Sequence, residues 1–353
     1  MNLFRQVVDQ KSLHPNFRNT MQKPYESARN VISSWAESFP DRDGKFVIEF
    51  QTTFNSSFWE LYIFAVLTQF GFTVDFSFPT PDFVIVQPYQ FCIEGVTAQA
   101  SAGAPNEWEV RLNTFFGDMK SLQQAALVDQ ATVRLANAIS GKYEKFSKQY
   151  SQMPHVEGRP FVLAVAPFEQ PFFYMQLNRA INRVLFGYDG EDNAETGKSE
   201  SKWMRTIKKP NGSDIPLAYF TNPGTENLSA VVFSNTATFA KVQALTRSTE
   251  FKRVVRALRF NAATRKLVQT VQEGTDYHET LLDGLSVYYN PFAKYALPRA
   301  LFGGSEVAHY TFTPEDGTMH FDVPDKALFH HLSTTVVPHS IAEELGLRGL
   351  QEQ

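Results

Sequence analysis

Three carboxylates lie in a strongly apolar part of the chain, and their types and spacing could support chemistry. Glu60 occurs in "FNSSFWELYIF", Asp82 follows Pro81 in "PDFVIVQ", and Glu94 lies inside "FCIEGVTA". An unpaired buried carboxylate costs several kcal/mol. Glu94, which lies within an apolar run, therefore needs a metal ion, a basic partner or solvent at a sheet edge.

A helix and three strands must position these carboxylates. Apolar residues at helical spacing predict a helix over about 57–70, and Gly71 is a natural end for it. Alternation with period two predicts a strand over 72–78. Two further strands, "DFVIVQ" and "FCIEGV", are separated by residues 87–90, which contain Pro88 and are typical of a hairpin turn.

Strand alternation predicts which side chains share a face of this hairpin. Asp82 falls on the face of Val84, and Glu94 falls on the face of Cys92 and Val96. If the hairpin register pairs those two faces, both carboxylates lie on one side of the sheet. Glu60 can then reach them from the packed helix.

The remaining elements alternate between helices and strands, which indicates an α/β fold followed by an α+β region. The Gly-rich, acidic stretch 187–201 predicts an exposed loop and a division into domains 1–186 and 202–353. The other expected elements are a turn and strand over 41–50, a long helix over about 118–149 that is broken or bent near Gly141, a buried strand over 159–168, a helix over 174–186, a basic helix over about 250–260, and strands over 228–234, 285–289, 307–312 and 319–323.

The order of helix, three strands, long helix and strand over residues 51–168 resembles the core of the PD-(D/E)xK nuclease superfamily. In that pattern a helix carries a Glu, an Asp often follows a Pro, and the next strand carries E-x-K. Glu60, Pro81-Asp82 and Glu94 occupy those positions here. The chain also resembles uncharacterised bacterial proteins that combine ELY, PDF and EA-T motifs.

The resemblance implies a restriction-endonuclease-like mixed sheet flanked by helices and a metal-dependent nuclease, acting in defence against foreign nucleic acid. Asp82 and Glu94 would bind Mg²⁺, with Glu60 as a third catalytic carboxylate. The pattern's lysine is replaced by Val96. Basic residues on the following long helix are candidates for a substitute: Lys120, Lys142 and Lys145.

Two other interpretations account for the same residues. The replacement at Val96 favours an inactive nuclease-like module that binds nucleic acid or a protein partner. Alternatively, the acids serve structure alone: "SFWE" matches a capping box in which Ser57 and Glu60 satisfy the first N–H groups of a helix. Asp82 after a proline is also an ordinary residue between a turn and a strand.

The most basic stretch of the chain, over 247–266, provides a candidate surface for nucleic acid. On a helix, i, i+4, i+7 spacing would place Lys252, Arg256 and Arg259 on one face, with Arg253 beside them, where they could neutralise phosphates. The alternative is a solvated surface helix, since runs of charge are commonly solvated.

The bulk properties limit the class of protein. The 353 residues carry a net charge of −4, so the molecule as a whole is not a basic nucleic-acid binder. A single cysteine excludes an intramolecular disulfide framework. Since no signal peptide or apolar run of membrane-spanning length occurs, we expect a cytoplasmic protein without membrane contact. A protein partner or a homo-oligomer is compatible with this composition.

Overall fold

The structure is a computed structural model, which describes residues 1–109, 121–192, 199–209, 211–248, 250–274, 276–304 and 306–338. Its helices are α1 Pro15–Thr20, α2 Glu26–Trp35, α3 Phe46–Thr52, α4 Phe54–Gln69, α5 Ser121–Lys145, α6 Arg179–Phe186 and α7 Phe239–Leu245. Across the parts of the chain that are described, no helix combines the length and apolar character needed to cross a membrane.

Fifteen strands are found within the described ranges. They are β1 Thr73–Asp75, β2 Phe83–Gln87, β3 Phe91–Gln99, β4 Phe161–Phe168, β5 Tyr188–Asp192, β6 Ser199–Trp203, β7 Thr206–Lys208, β8 Asp214–Pro216, β9 Ala230–Phe233, β10 Phe251–Asn261, β11 Lys266–Glu273, β12 Ser286–Tyr289, β13 Ala308–Thr313, β14 Thr318–Asp322 and β15 Leu328–Pro338.

Eight strands form one large mixed sheet in the order β1-β2-β3-β4-β9-β12-β13-β14. The central strands β3, β4 and β9 are parallel, whereas β1, β2 and β3 pair as antiparallel neighbours. The fold is therefore mixed α/β, as expected. Because β4 and β9 are neighbours, strands from both predicted domains contribute to the same sheet.

Helices cover both faces of the large sheet and create two apolar layers. The strand β4, "FVLAVAPF", is buried along its whole length, as a continuous apolar run between two covered faces should be. One face packs against α4, whose helical surface is apolar almost all round and largely buried. The other face packs against α5 and α6.

A second sheet, with the order β11-β10-β15, lies in the C-terminal region. The predicted basic helix over 250–260 is wrong, because these residues form β10, which is paired on both sides. Its side chains alternate between more and less exposed positions. Burial along this segment repeats every two residues, as in a strand, and Val255 and Ala257 are buried in that pattern. The basic residues match a helical spacing only by coincidence, which explains the wrong prediction of a helix.

Three local predictions near the carboxylates also need correction. Residues 46–52 form α3 rather than a strand, with Asp41 accepting a hydrogen bond from the backbone N–H of Phe46. Helix α4 begins at Phe54, so Ser57 lies inside it and the predicted capping box is wrong. Helix α5 runs through Gly141, so the predicted break at this residue is wrong. The predicted hairpin between β2 and β3 is confirmed as an antiparallel pair.

Candidate functional site

The site lies at the amino-terminal end of β2, next to the part of β3 that extends beyond β2. In the hairpin, Phe83 pairs with Ile93, so Asp82 stands at the open end of the shorter strand. Beyond that point the edge of β3 has backbone donors that β2 no longer reaches. One of these donors is the N–H of Gly95, from which Asp82 Oδ2 accepts a hydrogen bond of 2.7 Å. The carboxylate therefore has a defined position.

A glycine at position 95 leaves space for this carboxylate. A Cβ atom added to Gly95 would lie 3.3 Å from Asp82 Oδ2 and 3.8 Å from Cδ1 of Trp59. The indole of Trp59 is itself held in place, because its Nε1 donates a hydrogen bond of 2.9 Å to the carbonyl of Ala164. Gly95 and Trp59 thus shape the wall against which the Asp82 carboxylate rests.

Glu94 forms the second part of the site through an ion pair with Lys142 on α5. Lys142 Nζ donates to Glu94 Oε1 at 2.6 Å. The Glu94 side chain is only 5% exposed, whereas that of Lys142 is 30% exposed. The second carboxylate oxygen, Glu94 Oε2, is buried and has no hydrogen-bond partner among the described residues.

Of the two candidate lysines that the structure describes on the long helix, Lys142 is the one that pairs with Glu94. Lys145, one turn further along, lies with its Nζ 5.0 Å from the ring centroid of Tyr150. Lys120 lies outside the described residues. Val96 is 8% exposed and packs in the apolar layer that contains α5. The position that holds lysine in the E-x-K pattern thus contributes to the core in this chain.

Glu60 and Asp82 line the same cleft, and the Asp82 carboxylate lies beside Trp59 of the α4 layer. Val84 and Cys92 pair in the hairpin and lie in the α5 layer, whereas α4, which carries Glu60, packs on the opposite layer. Burial, and next the negative charge of Asp82, raise the pKa of Glu60 to about 8. Glu60 therefore carries a proton at neutral pH.

A partial counter-charge for Glu60 comes from Arg42. One guanidinium nitrogen of Arg42 lies 4.0 Å from Glu60 Oε1, and another donates a hydrogen bond of 2.8 Å to the carbonyl of Phe78. Burial, followed by the charge of Glu94, raises the pKa of Asp82. Glu60, Asp82, Glu94 and Lys142 thus interact electrostatically as one site.

Glu60 and Asp82 open into a cleft of about 500 Å³, which Glu94 does not line. Its only arginine or lysine among the described lining residues is Arg42, whereas five lining residues are acidic: Asp41, Asp43, Glu49, Glu60 and Asp82. An excess of carboxylates favours cations over a bare phosphate group. A nucleic-acid phosphate entering this cleft would need additional positive charge.

The donor set fits a hard divalent cation. Asp82 and Glu94 provide carboxylate oxygens, the ligand type that Mg²⁺ prefers, and the buried Oε2 of Glu94 lacks another partner. In the described part of the chain, no group of three or more His, Cys, Asp or Glu side chains is suited to hold a metal ion.

The four predicted nucleic-acid-binding residues do not share one basic face. Arg253 and Arg259 are buried, at 7% and 8% exposure. Arg253 donates to the backbone carbonyls of Gln243 and Gly274, both at 3.0 Å. Arg259 pairs with Asp283 at 2.8 Å.

The other two predicted residues lie on the opposite side of the same strand. Lys252 pairs with Glu273, and Arg256 is exposed. The predicted common helix face is therefore wrong, because strand alternation sends neighbouring side chains to opposite sides.

Sequence reasoning missed Arg42, Trp59 and Gly95 as members of the site. Arg42 lies in a loop whose local pattern predicted only a turn, and Trp59 is an ordinary buried aromatic at the sequence level. A glycine inside an apolar strand was an available signal, because such a residue often marks the close approach of another group. Here that group is the Asp82 carboxylate.

Comparisons of this chain with protein-family models, curated proteins and solved structures found no match.

Proposed function

We propose that this protein is a metal-dependent nuclease with a PD-(D/E)xK-like core over residues 51–168. The order α4, β1, β2, β3, α5, β4 supports this proposal, with Asp82 preceding β2 and Glu94 on β3. The observation that carries it is the 2.6 Å contact between Lys142 Nζ and Glu94 Oε1. Lys142 on α5 thereby supplies the ammonium group, because the lysine position of the pattern on β3 is occupied by Val96.

Asp82 and Glu94 would hold Mg²⁺ in this function. Bound there, Mg²⁺ would supply positive charge against the negative charge that develops on the phosphate during hydrolysis. The N–H of Gly95 fixes one oxygen of Asp82, which leaves the other oxygen of that carboxylate for the ion. The Oε2 atom of Glu94 is likewise left over from the pair with Lys142.

Lys142 and Glu60 would act on protons and charge. With 30% of its side chain exposed, the Lys142 ammonium group can meet solvent while it contacts Glu94, and it can orient a water molecule beside that carboxylate. Glu60 carries a proton at neutral pH because its pKa is raised to about 8. That proton limits charge repulsion with Asp82 and provides a hydrogen-bond donor at the cleft.

Nucleic acid would be the substrate, and a local electrostatic contribution is required because the net charge is −4. Arg42 lies at the cleft and can contact a phosphate. Arg256 is the exposed member of the predicted basic set. It is therefore the member of that set that remains a candidate for substrate contact from this surface.

A second candidate function is supported by the same ion pair. Since Lys142 neutralises Glu94 and Val96 packs in the core, the site can be stable without a metal ion. The protein would then be an inactive nuclease-like module that binds nucleic acid or a protein partner, including a second copy of itself.

Cleavage and metal binding distinguish the two functions. The full chain is incubated with single- and double-stranded DNA and RNA in Mg²⁺, in Mn²⁺ or in EDTA, and Mn²⁺ binding is followed by electron paramagnetic resonance. We expect metal-dependent cleavage that falls at least about 100-fold in Glu94→Gln and Lys142→Met. Mn²⁺ binding should weaken in Asp82→Asn and Glu94→Gln.

A matched control on the same helix is Glu144→Gln. Glu144 pairs with Lys148 at 3.0 Å, but both side chains are exposed, at 63% and 72%. This variant should keep full cleavage and Mn²⁺ binding. Cleavage that survives in Glu94→Gln would contradict the proposed mechanism, and nucleic-acid binding without Mn²⁺ binding or cleavage would favour the inactive module.

A further inference from the structure

A second cleft, separate from the carboxylate site, lies at the carboxyl ends of the parallel strands. It has a volume of about 340 Å³ and shares no lining residue with the acidic cleft. Segments following each of the three parallel strands contribute to it: Trp108 after β3, Tyr174 after β4 and Asn235 after β9. Ligands of open α/β sheets commonly bind outside the carboxyl ends of the strands.

The walls of this cleft are aromatic and carry polar groups at their edges. Phe173, Phe239 and Trp108 provide flat apolar surface. Asn16 and Asn55 both donate to Oε1 of Glu107, at 2.7 Å and 2.6 Å. These bonds connect α1 and α4 to the segment that carries Trp108, so this wall is tied to two helices.

His330 is the most informative polar group in this cleft. It is 3% exposed and its ring stacks on Tyr174 with centroids 4.6 Å apart. Neither ring nitrogen has a hydrogen-bond partner among the described residues, although the side chain lines the cleft. Burial lowers the pKa of His330 to about 3, so the imidazole is neutral and offers one donor and one acceptor.

The charges of the lining residues restrict the ligand further. The described lining residues include no lysine or arginine, and the one acidic residue, Glu107, already accepts two amide hydrogen bonds. A phosphate group would find no counter-charge. Flat aromatic walls suit a planar ring, while the amide of Asn235 and the imidazole of His330 suit a ring edge with both donors and acceptors.

We propose that this cleft binds an uncharged nucleobase or nucleoside, with the ring against Trp108 and its polar edge at His330 and Asn235. The volume is at the lower end of the roughly 300–1,000 Å³ typical of ligand pockets, which suits a ligand of this size. This site is independent of phosphodiester hydrolysis, so it stands whether or not the carboxylate site cleaves nucleic acid.

The test uses the full chain and four nucleosides: adenosine, guanosine, cytidine and uridine. Binding is measured by isothermal titration calorimetry and by quenching of tryptophan fluorescence, with ribose as the control for the sugar. We expect at least one nucleoside to bind with a Kd below about 1 mM, ribose not to bind, and the 5′-monophosphate to bind no more tightly than its nucleoside.

Two variants test the residues that carry the argument. His330→Phe keeps the ring that packs on Tyr174 but removes both nitrogens, and should weaken binding about 5- to 10-fold. Trp108→Leu should weaken binding and abolish the fluorescence quenching. The matched control is Trp203→Leu, which removes a tryptophan that is 56% exposed and does not line the cleft.

Specific results would overturn this proposal. They are the absence of binding by all four nucleosides at millimolar concentration, an unchanged Kd in both His330→Phe and Trp108→Leu, or a monophosphate that binds ten times more tightly than its nucleoside. Circular dichroism of each variant establishes that it is folded. If one of the two fails to fold, the other decides the outcome.

Discussion

Replacing Lys142 with methionine tests the ion pair on which the carboxylate site depends. Methionine has a similar length and apolar stem but carries no charge, so the main change is the loss of the cation 2.6 Å from Glu94 Oε1. The Glu94 side chain is 5% exposed, and its other oxygen already has no hydrogen-bond partner among the described residues. Both carboxylate oxygens would then be buried without a partner.

The expected cost follows from the burial of each partner. Removing one member of a fully buried ion pair costs about 3–5 kcal/mol. Lys142 keeps 30% of its side chain exposed, so solvent already screens part of this interaction. We therefore expect Lys142→Met to lower the free energy of unfolding by about 2 kcal/mol.

The measurement is urea denaturation in EDTA at pH 7, carried out as a double-mutant cycle. Lys142→Met, Glu94→Gln and the double variant are compared with the wild type. Because the double variant no longer buries an unpaired charge, it should be more stable than Lys142→Met, with a coupling energy of about 1–2 kcal/mol. Lys148→Met removes an exposed pair with Glu144 and should cost no more than about 0.5 kcal/mol.

The outcome that refutes this reasoning is equal stability of Lys142→Met and Lys148→Met, or a coupling energy near zero. Either result would mean that Glu94 is compensated by something other than Lys142. Adding Mn²⁺ separates the structural role from the proposed metal role. A gain in wild-type stability that is lost in Asp82→Asn would support metal binding at this site.

Three further predictions concern other buried groups. Burial raises the pKa of Glu169 from 4.5 to about 7, so the folded state binds a proton more tightly than the unfolded state. The free energy of unfolding of the wild type, relative to that of Glu169→Gln, should therefore fall by about 3 kcal/mol between pH 4.5 and pH 8. Urea denaturation at both pH values measures this change, and the same difference at both would contradict the prediction. Gly95→Ala should displace the Asp82 carboxylate, because the added Cβ would lie 3.3 Å from Asp82 Oδ2. Mn²⁺ binding should weaken about 10-fold, and the free energy of unfolding should fall by about 1 kcal/mol. An unchanged Mn²⁺ titration would argue against the close approach of Gly95 and Asp82. Lys241→Met removes the lysine from a fully buried pair with Glu279 and should cost about 3 kcal/mol in urea unfolding, although His331 still contacts the other oxygen of that carboxylate. Lys208→Met, at an exposed pair, should cost less than about 1 kcal/mol, and similar losses in the two variants would show that burial does not decide the difference.

Local patterns in the sequence determined the elements around the carboxylates. The continuous apolar run of β4 predicted a buried strand, and the stretches "DFVIVQ" and "FCIEGV" predicted β2 and β3. The residues between β2 and β3 predicted their hairpin. These signals are strong because a strand that is buried on both faces has a continuous apolar run, and a strand that is buried on one face has apolar residues at alternate positions. Both patterns can be read from the order of residue types. The sequence also predicted that Glu94, inside an apolar strand, needs a partner.

Elsewhere local patterns were insufficient, because two periods can fit one short segment. The basic residues of β10 match helical spacing, but pairing with β11 and β15 on both sides makes the segment a strand. Similarly, "SFWE" matches a capping box, but α4 begins at Phe54 because the chain turns earlier, after α3. Neighbours that are distant in sequence decide such cases.

The composition of the site was decided only by tertiary structure. From the sequence, Lys142 was one of several candidates on a helix, and 48 residues separate it from Glu94. Only the packing of α5 on the sheet brings the two charges to 2.6 Å. Side-chain identity determines that a buried carboxylate must be compensated, whereas the arrangement of helices and strands determines which cation does so.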